Sequence, residues 1–237
     1  MEVKILGTGS TYSKSNCASI IIDKNLLIDT SPGITKQLIK EKYDLTKIYT
    51  ILITHLHTDH ILDFPILISN IRVQNIKHKI DIYGPKGTKN KLISLLKLLD
   101  EQENCKFVNK YLNFIDISDN KEIKINNYCI KVKEVIHEDI EAYGYIINSK
   151  LGITGDSSYC KNIEEIYKKS DILICDCSVV KEDIYHIGID SIQKLQNIDN
   201  NKKIIPIHYR DKTKEILKTM NIKNVFIIDD GYKFTIE

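Results

Sequence analysis

Four metal-ligand side chains fall within six positions, His55-Leu-His57-Thr-Asp59-His60, directly after the run Tyr49-Thr-Ile-Leu-Ile53. A continuous β-branched run predicts a strand buried on both faces. Three imidazoles and a carboxylate at the end of such a strand are costly unless something binds them. Neutral imidazole and carboxylate are donors that zinc, iron and manganese all accept. In extended chain, residues two apart point the same way, so His55 and His57 can share one ion. Asp59 and His60 open the next helical stretch and can turn toward a second.

Other residues of the same chemistry stand at similar places. His137 follows the apolar run Val132–Ile136, Asp156 follows Leu151–Thr154, and His208 follows Lys203–Ile207. Each is a ligand type at the C-terminal end of a predicted strand, where α/β folds gather their sites. Taken alone, each reads as a solvated loop residue. Together with the first cluster they supply five His and two Asp, enough for two ions sharing a bridging carboxylate. His186, in a loop before the helix predicted from Ser191, is a sixth imidazole candidate. His78, in the basic turn Lys77-His-Lys79, reads as a surface residue.

The remaining pattern is one of strands followed by alternating helices and strands. Ser19–Asp23 and Asn25–Asp29 form a hairpin turning at Lys24, and 32–43 is helical from Pro32-Gly33. Ile61–Val73 has helical spacing, Lys79–Tyr83 is a strand and Thr88–Asp100 an amphipathic helix. Lys121–Ile136 is a hairpin turning at Asn126-Asn127, and Tyr143–Ile147 with Leu151–Thr154 is another. Helices follow at Ile163–Lys169, Ser191–Asn197 and Lys212–Met220, with strands at Ile172–Cys175, Lys203–Ile207 and Val225–Ile228. The order predicts an α/β architecture of sheets covered by helices. No linker, repeat or low-complexity stretch divides the 237 residues, so a single domain over 1–237 is expected.

Charge excludes a global pull toward polyanions, since 34 Lys and Arg face 32 Asp and Glu. The acid at position 2 and the short apolar run after it do not form a signal peptide, and no stretch approaches the roughly 20 apolar residues of a membrane span. The six cysteines are scattered, which suits reduced thiols in a cytoplasmic protein. Cys175-x-Cys177 has the wrong spacing for a Cys-x-x-Cys motif and reads as core.

The histidine motif, with His137, Asp156 and His208, resembles the metallo-β-lactamase superfamily, and within it the tRNase Z (ribonuclease Z) and phosphodiesterase branch. Leu6-Gly-Thr-Gly-Ser10, Leu27-Ile-Asp29, Ile82-Tyr-Gly-Pro-Lys-Gly87, Tyr143-Gly-Tyr145, Ile153-Thr-Gly-Asp156 and Pro206-Ile-His208 carry the same resemblance across most of the chain. It implies an αββα sandwich of two mixed β-sheets flanked by helices. It implies that His55, His57 and His137 hold one divalent ion, that Asp59, His60 and His208 hold another, and that Asp156 bridges them. Zinc is the expected ion, with manganese or iron as alternatives. Asp29 would be a structural acid under the site. His at position 57, where the diiron oxygen-reducing branch has Glu, disfavours that branch.

The expected reaction is hydrolysis of a phosphodiester. Two ions about 3.5–4 Å apart can share a hydroxide and clamp the phosphoryl oxygens. Asp59 would orient that nucleophile. The leaving alkoxide needs a proton, and the resemblance assigns it to His186. Asp176, in Cys175-Asp-Cys-Ser178, stands where the family carries Glu in a His-Glu-Ala-Thr type of motif and is the expected partner of His186. Ser10, in the glycine turn, and Arg210, just after His208-Tyr209, are candidate substrate contacts, with a tight turn and a surface ion pair as their plainer readings.

Two departures bear on the substrate. The long basic arm that grips tRNA in tRNase Z would lie between Ile147 and Leu151, where this chain has only Asn148-Ser-Lys150, and Asp63 stands where the family has Gly. A small phosphodiester is therefore expected: a cyclic nucleotide, a cyclic phosphate or a short oligonucleotide. The alternatives are a tRNA 3′-processing endoribonuclease binding RNA without the arm, a thioester, lactone or β-lactam hydrolase, and a non-catalytic metal-binding scaffold. A homodimer is left open by analogy.

Overall fold

Short apolar strands alternating with amphipathic helices produce two mixed sheets, each packed against helices of its own. The computed structural model describes residues 1–237. Two compact units divide them: Met1–Gly7, Asn16–Asp116 and Asp230–Glu237 in the first, Thr8–Ser15 and Ile117–Asp229 in the second.

The first unit holds β1 (Glu2–Gly7), β2 (Ser19–Ile22), β3 (Leu26–Ile28), β4 (Thr50–Leu52), β5 (Ile80–Gly84) and β6 (Leu112–Asp116). Its helices are α1 (Ile34–Lys40), α2 (Thr58–Ile61), α3 (Phe64–Val73), α4 (Thr88–Leu98) and α5 (Gln102–Tyr111). The second holds β7 (Glu122–Ile125), β8 (Tyr128–His137), β9 (Ile140–Ile147), β10 (Leu151–Ile153), β11 (Ile172–Asp176) and β12 (Lys203–Ile207), with α6 (Lys161–Lys168), α7 (Ile189–Ile198) and α8 (Asp211–Met220). The last strand, β13 (Lys233–Thr235), returns to the first unit, whose sheet order is β13-β1-β2-β3-β4-β5-β6. There β3, β4, β5 and β6 run parallel, and the earlier strands pair antiparallel. Ile51, Ile53 and Ile82 pack with Phe64, Leu67, Leu92 and Leu96 in its buried core.

The second sheet runs β12-β11-β10-β9-β8-β7. Two antiparallel pairings join β8 to β9 and β9 to β10, and two parallel ones join β10 to β11 and β11 to β12. It follows that β8, β10, β11 and β12 share one direction and end at the same edge. Ile163, Ile166 and Tyr167 of α6, Ile192 and Leu195 of α7, and Leu217 of α8 pack on this sheet's apolar side.

Several expectations need correction. Val225–Ile228 is not a strand: Val225 makes only an isolated bridge to Ile204. The C-terminal strand is instead Lys233–Thr235, too short and polar to stand out. The helix at Gln102–Tyr111 and the strand Leu112–Asp116 were not anticipated. The long helical stretch at 61–73 breaks at Leu62-Asp63, and Pro65 lies in the first turn of α3. Asp63 also explains its own presence. Its carboxylate accepts the Thr35 N–H at 2.7 Å in the first turn of α1, where the N-cap residue is Gly33 and has no side chain to offer.

Gly7 is required by backbone crowding, because a Cβ there would lie 2.1 Å from the Cys17 carbonyl oxygen. Cys175 and Cys177 lie in the second unit's core, and burial pushes both thiols up from their ordinary range. No helix is long and apolar enough to cross a membrane.

Candidate metal centre and general acid

In the first unit the parallel strands β3 and β4 end side by side, and Asp29 follows one as Ile53-Thr54-His55 follows the other. Asp29 takes a left-handed backbone (φ 60°) and is buried. Its Oδ1 accepts the Thr54 N–H at 2.7 Å and its Oδ2 accepts the Thr54 hydroxyl at 2.8 Å. The same Oδ2 lies 2.9 Å from Nδ1 of His60 in α2. A carboxylate can only accept, so His60 carries its proton on Nδ1 and presents Nε2 as a donor to an ion. Having given its proton to Asp29, Thr54 Oγ1 accepts from His55 Nδ1 at 3.1 Å. His55 is therefore held in the same tautomer. The His55 ring lies 4.8 Å from His57 and 4.0 Å from His60, centroid to centroid. His57 precedes α2 in extended backbone, and Asp59 occupies that helix's first turn. This unit thus gathers His55, His57, Asp59 and His60, with Asp29 beneath them.

The second unit gathers the rest for a topological reason. Because β8, β10, β11 and β12 end at one edge, His137 at the end of β8, Asp156 after β10, Asp176 at the end of β11 and His208 after β12 meet there. All four are buried. Asp156 Oδ2 lies 3.2 Å from His208 Nε2 and 4.0 Å from His137 Nε2, so one carboxylate oxygen faces both imidazoles. His137 donates from Nδ1 to the Tyr185 carbonyl at 2.9 Å. Since a carbonyl cannot donate, Nε2 of His137 is left as the atom available to an ion.

His186 reaches this edge from the loop after β11. Its Nδ1 lies 2.8 Å from Oδ2 of Asp176, whose side chain is fully buried, while that of His186 keeps 16% exposure. The Asp183 carboxylate accepts the His186 backbone N–H at 2.8 Å and holds the loop turn. Burial alone would raise the Asp176 carboxyl, but the hydrogen bond from His186 and the positive character of His186 and His208 beside it outweigh burial and hold it well below the ordinary range. Burial alone would lower His186. The hydrogen bond and charge of Asp176, with Asp156 adding to them, raise it instead. A raised imidazole pKa beside solvent suits a proton donor near neutral pH.

Asp176 also touches a residue that sequence reasoning missed. Ser178 Oγ lies 2.8 Å from Asp176 Oδ1 and 2.6 Å from His208 Nδ1. The only sequence signal was its place two residues after Asp176. Thr54 was missed likewise, though it directly precedes His55.

The two substrate-contact candidates are placed differently. Ser10 is buried, donates to the Tyr209 carbonyl at 3.0 Å and accepts the Tyr12 N–H at 3.3 Å, so its hydroxyl holds the glycine turn. Arg210 is exposed at the start of α8, with its guanidinium 5.5 Å from the Tyr12 ring centroid. His78 is half-buried and stacks on Tyr49, ring centroids 4.3 Å apart.

The donor set fits divalent metal. It is made of imidazoles and carboxylates, and four imidazoles, His55, His60, His137 and His208, are each fixed through Nδ1 so that Nε2 is the atom presented. Fixing Nδ1 by a carboxylate, carbonyl or hydroxyl is how proteins set the tautomer and orientation of metal-ligating histidines.

Comparison with known proteins agrees. The family model described as Anti-Pycsar protein Apyc1 matches residues 1–228. A ribonuclease Z of Macrococcus caseolyticus (strain JCSC5402) is 25% identical over 311 aligned positions that cover 100% of both chains. Matches to other ribonucleases Z span about half the length of those proteins. Among solved structures, a diphosphatase of the PhnP family superposes with a TM-score of 0.79 at 20% identity, covering 100% of this chain and 98% of that one. The metallo-β-lactamase fold protein YhfI from Bacillus subtilis superposes with a TM-score of 0.79 at 18% identity, covering 98% of each. The chain belongs to the Anti-Pycsar protein Apyc1 family, and it is a metal-dependent hydrolase of the metallo-β-lactamase fold, in the ribonuclease Z and phosphodiesterase branch.

Proposed function

We propose that the two units act as one catalytic domain over residues 1–237 and that it is a dinuclear phosphodiesterase acting on a small phosphodiester: a cyclic nucleotide, a cyclic phosphate or a short oligonucleotide. His55, His57 and His137 would hold one ion, Asp59, His60 and His208 the other, and Asp156 would be shared. Zinc is the first candidate, since it takes imidazole and carboxylate at neutral pH. Two bound ions supply a hydroxide nucleophile at neutral pH and positive charge for the phosphoryl oxygens. The remaining chemistry belongs to the chain. Asp59 orients the nucleophile. His186, protonated on both nitrogens, gives its Nε2 proton to the leaving oxygen, and Asp176 keeps the ring aimed and the imidazolium stable. Arg210, exposed at the start of α8, is available to an anionic substrate.

The observation that carries this reading is the His186–Asp176 pair at 2.8 Å, on the same sheet edge as His137, Asp156 and His208. A proton donor beside a metal-ligand cluster serves a reaction that expels a poor leaving group, as phosphodiester cleavage does. The small substrate is favoured by the connection from β9 to β10. Only Asn148-Ser149-Lys150 lies there, with Asn148 at φ 53° and Ser149 at φ 54°, a tight hairpin turn and no arm. A second reading, an RNA 3′-processing nuclease, draws on the similarity to ribonuclease Z.

The test is metal content by mass spectrometry, followed by hydrolysis of bis-p-nitrophenyl phosphate, 2′,3′- and 3′,5′-cyclic nucleotides and precursor tRNA. The expected result is close to two ions per chain and cleavage of a small diester with little salt dependence. Fewer than one ion after zinc or manganese loading overturns the dinuclear reading. Cleavage of precursor tRNA in preference to every small diester, falling steeply with salt, overturns the substrate class.

A further inference from the structure

The same construction occurs twice. In the first unit one buried carboxylate, Asp29, holds His60 directly and reaches His55 through the hydroxyl of Thr54. In the second unit one buried carboxylate, Asp176, holds His186 directly and reaches His208 through the hydroxyl of Ser178. Each hydroxyl has a single proton. Thr54 gives its proton to Asp29, and the carboxylate is the stronger of the two acceptors near Ser178. Each hydroxyl oxygen is then left to accept from Nδ1 of the neighbouring imidazole.

We infer that Thr54 and Ser178 are positioning residues, whose hydroxyls set the tautomer and direction of His55 and His208 and tie each ring to a buried aspartate. The inference rests on the metal-hydrolase reading above and assigns a role to two residues outside the ligand set. Ser178 is the more demanding case. Its Oγ lies 2.6 Å from His208 Nδ1, and the His208 carbonyl oxygen, 2.8 Å away, is the weaker competitor of Asp176 for its one proton. His208 has a left-handed backbone (φ 58°), uncommon for a residue with a side chain, and something must hold it there. Ser178 is fixed in turn. Its N–H donates to Asp176 Oδ1 at 3.0 Å, and its carbonyl accepts the Thr213 hydroxyl of α8 at 2.8 Å. Because Asp176 also holds His186, Ser178 links the orientation of a metal ligand to that of the proton donor. The direct separation of His208 Nδ1 from Asp176 Oδ1 is 3.5 Å, too long to replace the hydroxyl.

The experiment measures metal affinity by competition with a chromophoric chelator, beside the visible spectrum of the cobalt-loaded protein. Ser178→Ala is expected to weaken one ion about 10–100-fold and to change the cobalt spectrum, while Ser178→Thr, which keeps the hydroxyl, returns both close to wild type. Thr54→Val, nearly the same shape without the hydroxyl, is expected to weaken the ion held by His55 by a similar factor. Wild-type affinity and spectrum in both Ser178→Ala and Thr54→Val overturn the inference. Should the variants fail to fold, long-range 1H–15N NMR of the wild-type protein decides it. The inference requires His55 and His208 protonated on Nδ1, and either ring protonated on Nε2 alone overturns it. A wild-type chain that takes up no ion defeats the metal-hydrolase reading instead, and the NMR assignment on that chain then decides the hydroxyl roles by itself.

Discussion

Oδ2 of Asp29 and Nδ1 of His60 lie 2.9 Å apart in the buried floor of the first unit, and the same oxygen accepts the Thr54 hydroxyl. The carboxylate therefore orients two histidines from below, His60 directly and His55 through Thr54. Asp29→Ala is expected to lower metal affinity about 10–100-fold. It also strands the Thr54 N–H, the Thr54 hydroxyl and His60 Nδ1, at a stability cost of about 3 kcal/mol. Chelator competition and urea unfolding check the two effects. Unchanged metal affinity would remove Asp29 from the site.

The raised pKa of His186 makes a statement about pH. A general acid works in its protonated form, so the rate falls as pH rises through the His186 pKa, which the Asp176 pair moves above the ordinary 6.5. With an alkyl diester, His186→Ala is expected to lose about 10²–10⁴-fold in kcat and the alkaline limb with it. With bis-p-nitrophenyl phosphate, whose leaving group needs no proton, the loss should be less than about tenfold. Equal losses on both substrates would show that His186 is not the proton donor.

Glu165 of α6 sits between two lysines. Lys133 Nζ, on a side chain only 4% exposed, lies 2.6 Å from Oε2, and Lys169 Nζ lies 2.6 Å from Oε1. The hydrogen bonds from Lys133 and then Lys169 pull the Glu165 carboxyl down to about 2. A depressed carboxyl contributes stability that is present above the unfolded pKa, about 4.3, and lost as pH falls toward 2. Glu165→Gln is expected to cost about 1–3 kcal/mol at pH 7, below the value for a fully buried pair because Glu165 is partly exposed. The gap to wild type should shrink between pH 4.5 and pH 2 in urea melts. A gap that stays constant with pH would count against the pairing.

Asp63 caps a helix that is not its own. Asp63→Ala is expected to lower stability by about 1 kcal/mol through loss of the Thr35 N–H acceptor, with metal content unchanged. A melting curve and a metal assay on one preparation check it. A drop in bound metal would show that Asp63 supports the ligand set as well as α1.

Most of the candidate donor positions were legible because their signals are local. The run Tyr49–Ile53 followed by His55, His57, Asp59 and His60 is a strand end carrying donors, and the structure has β4 and α2 at that place. His137, Asp156, Asp176 and His208 each follow a short apolar run, and each run is a strand. Other features were not legible. Gln102–Tyr111 carries few apolar residues among its polar ones, and Lys233–Thr235 is a strand only because β1 supplies its partner. Val225–Ile228 has strand composition but no neighbour beyond one bridge to Ile204.

By itself the amino-acid sequence determined which donors stand at which strand ends, and the tight turn at Asn148-Ser149-Lys150 that leaves no room for an arm. Periodicity and turn chemistry act over a few residues and can be read along the chain. Tertiary structure alone decided that β8, β10, β11 and β12 share a direction, so that His137, Asp156, Asp176 and His208 meet at one edge. It alone decided that Asp29 and Asp176 each hold two histidines, with Thr54 and Ser178 as the intermediates. The bonds that join Asp29 to Thr54 and His60, and Ser178 to His208, bridge 25, 31 and 30 positions; they depend on strand order and direction, and no local pattern encodes those.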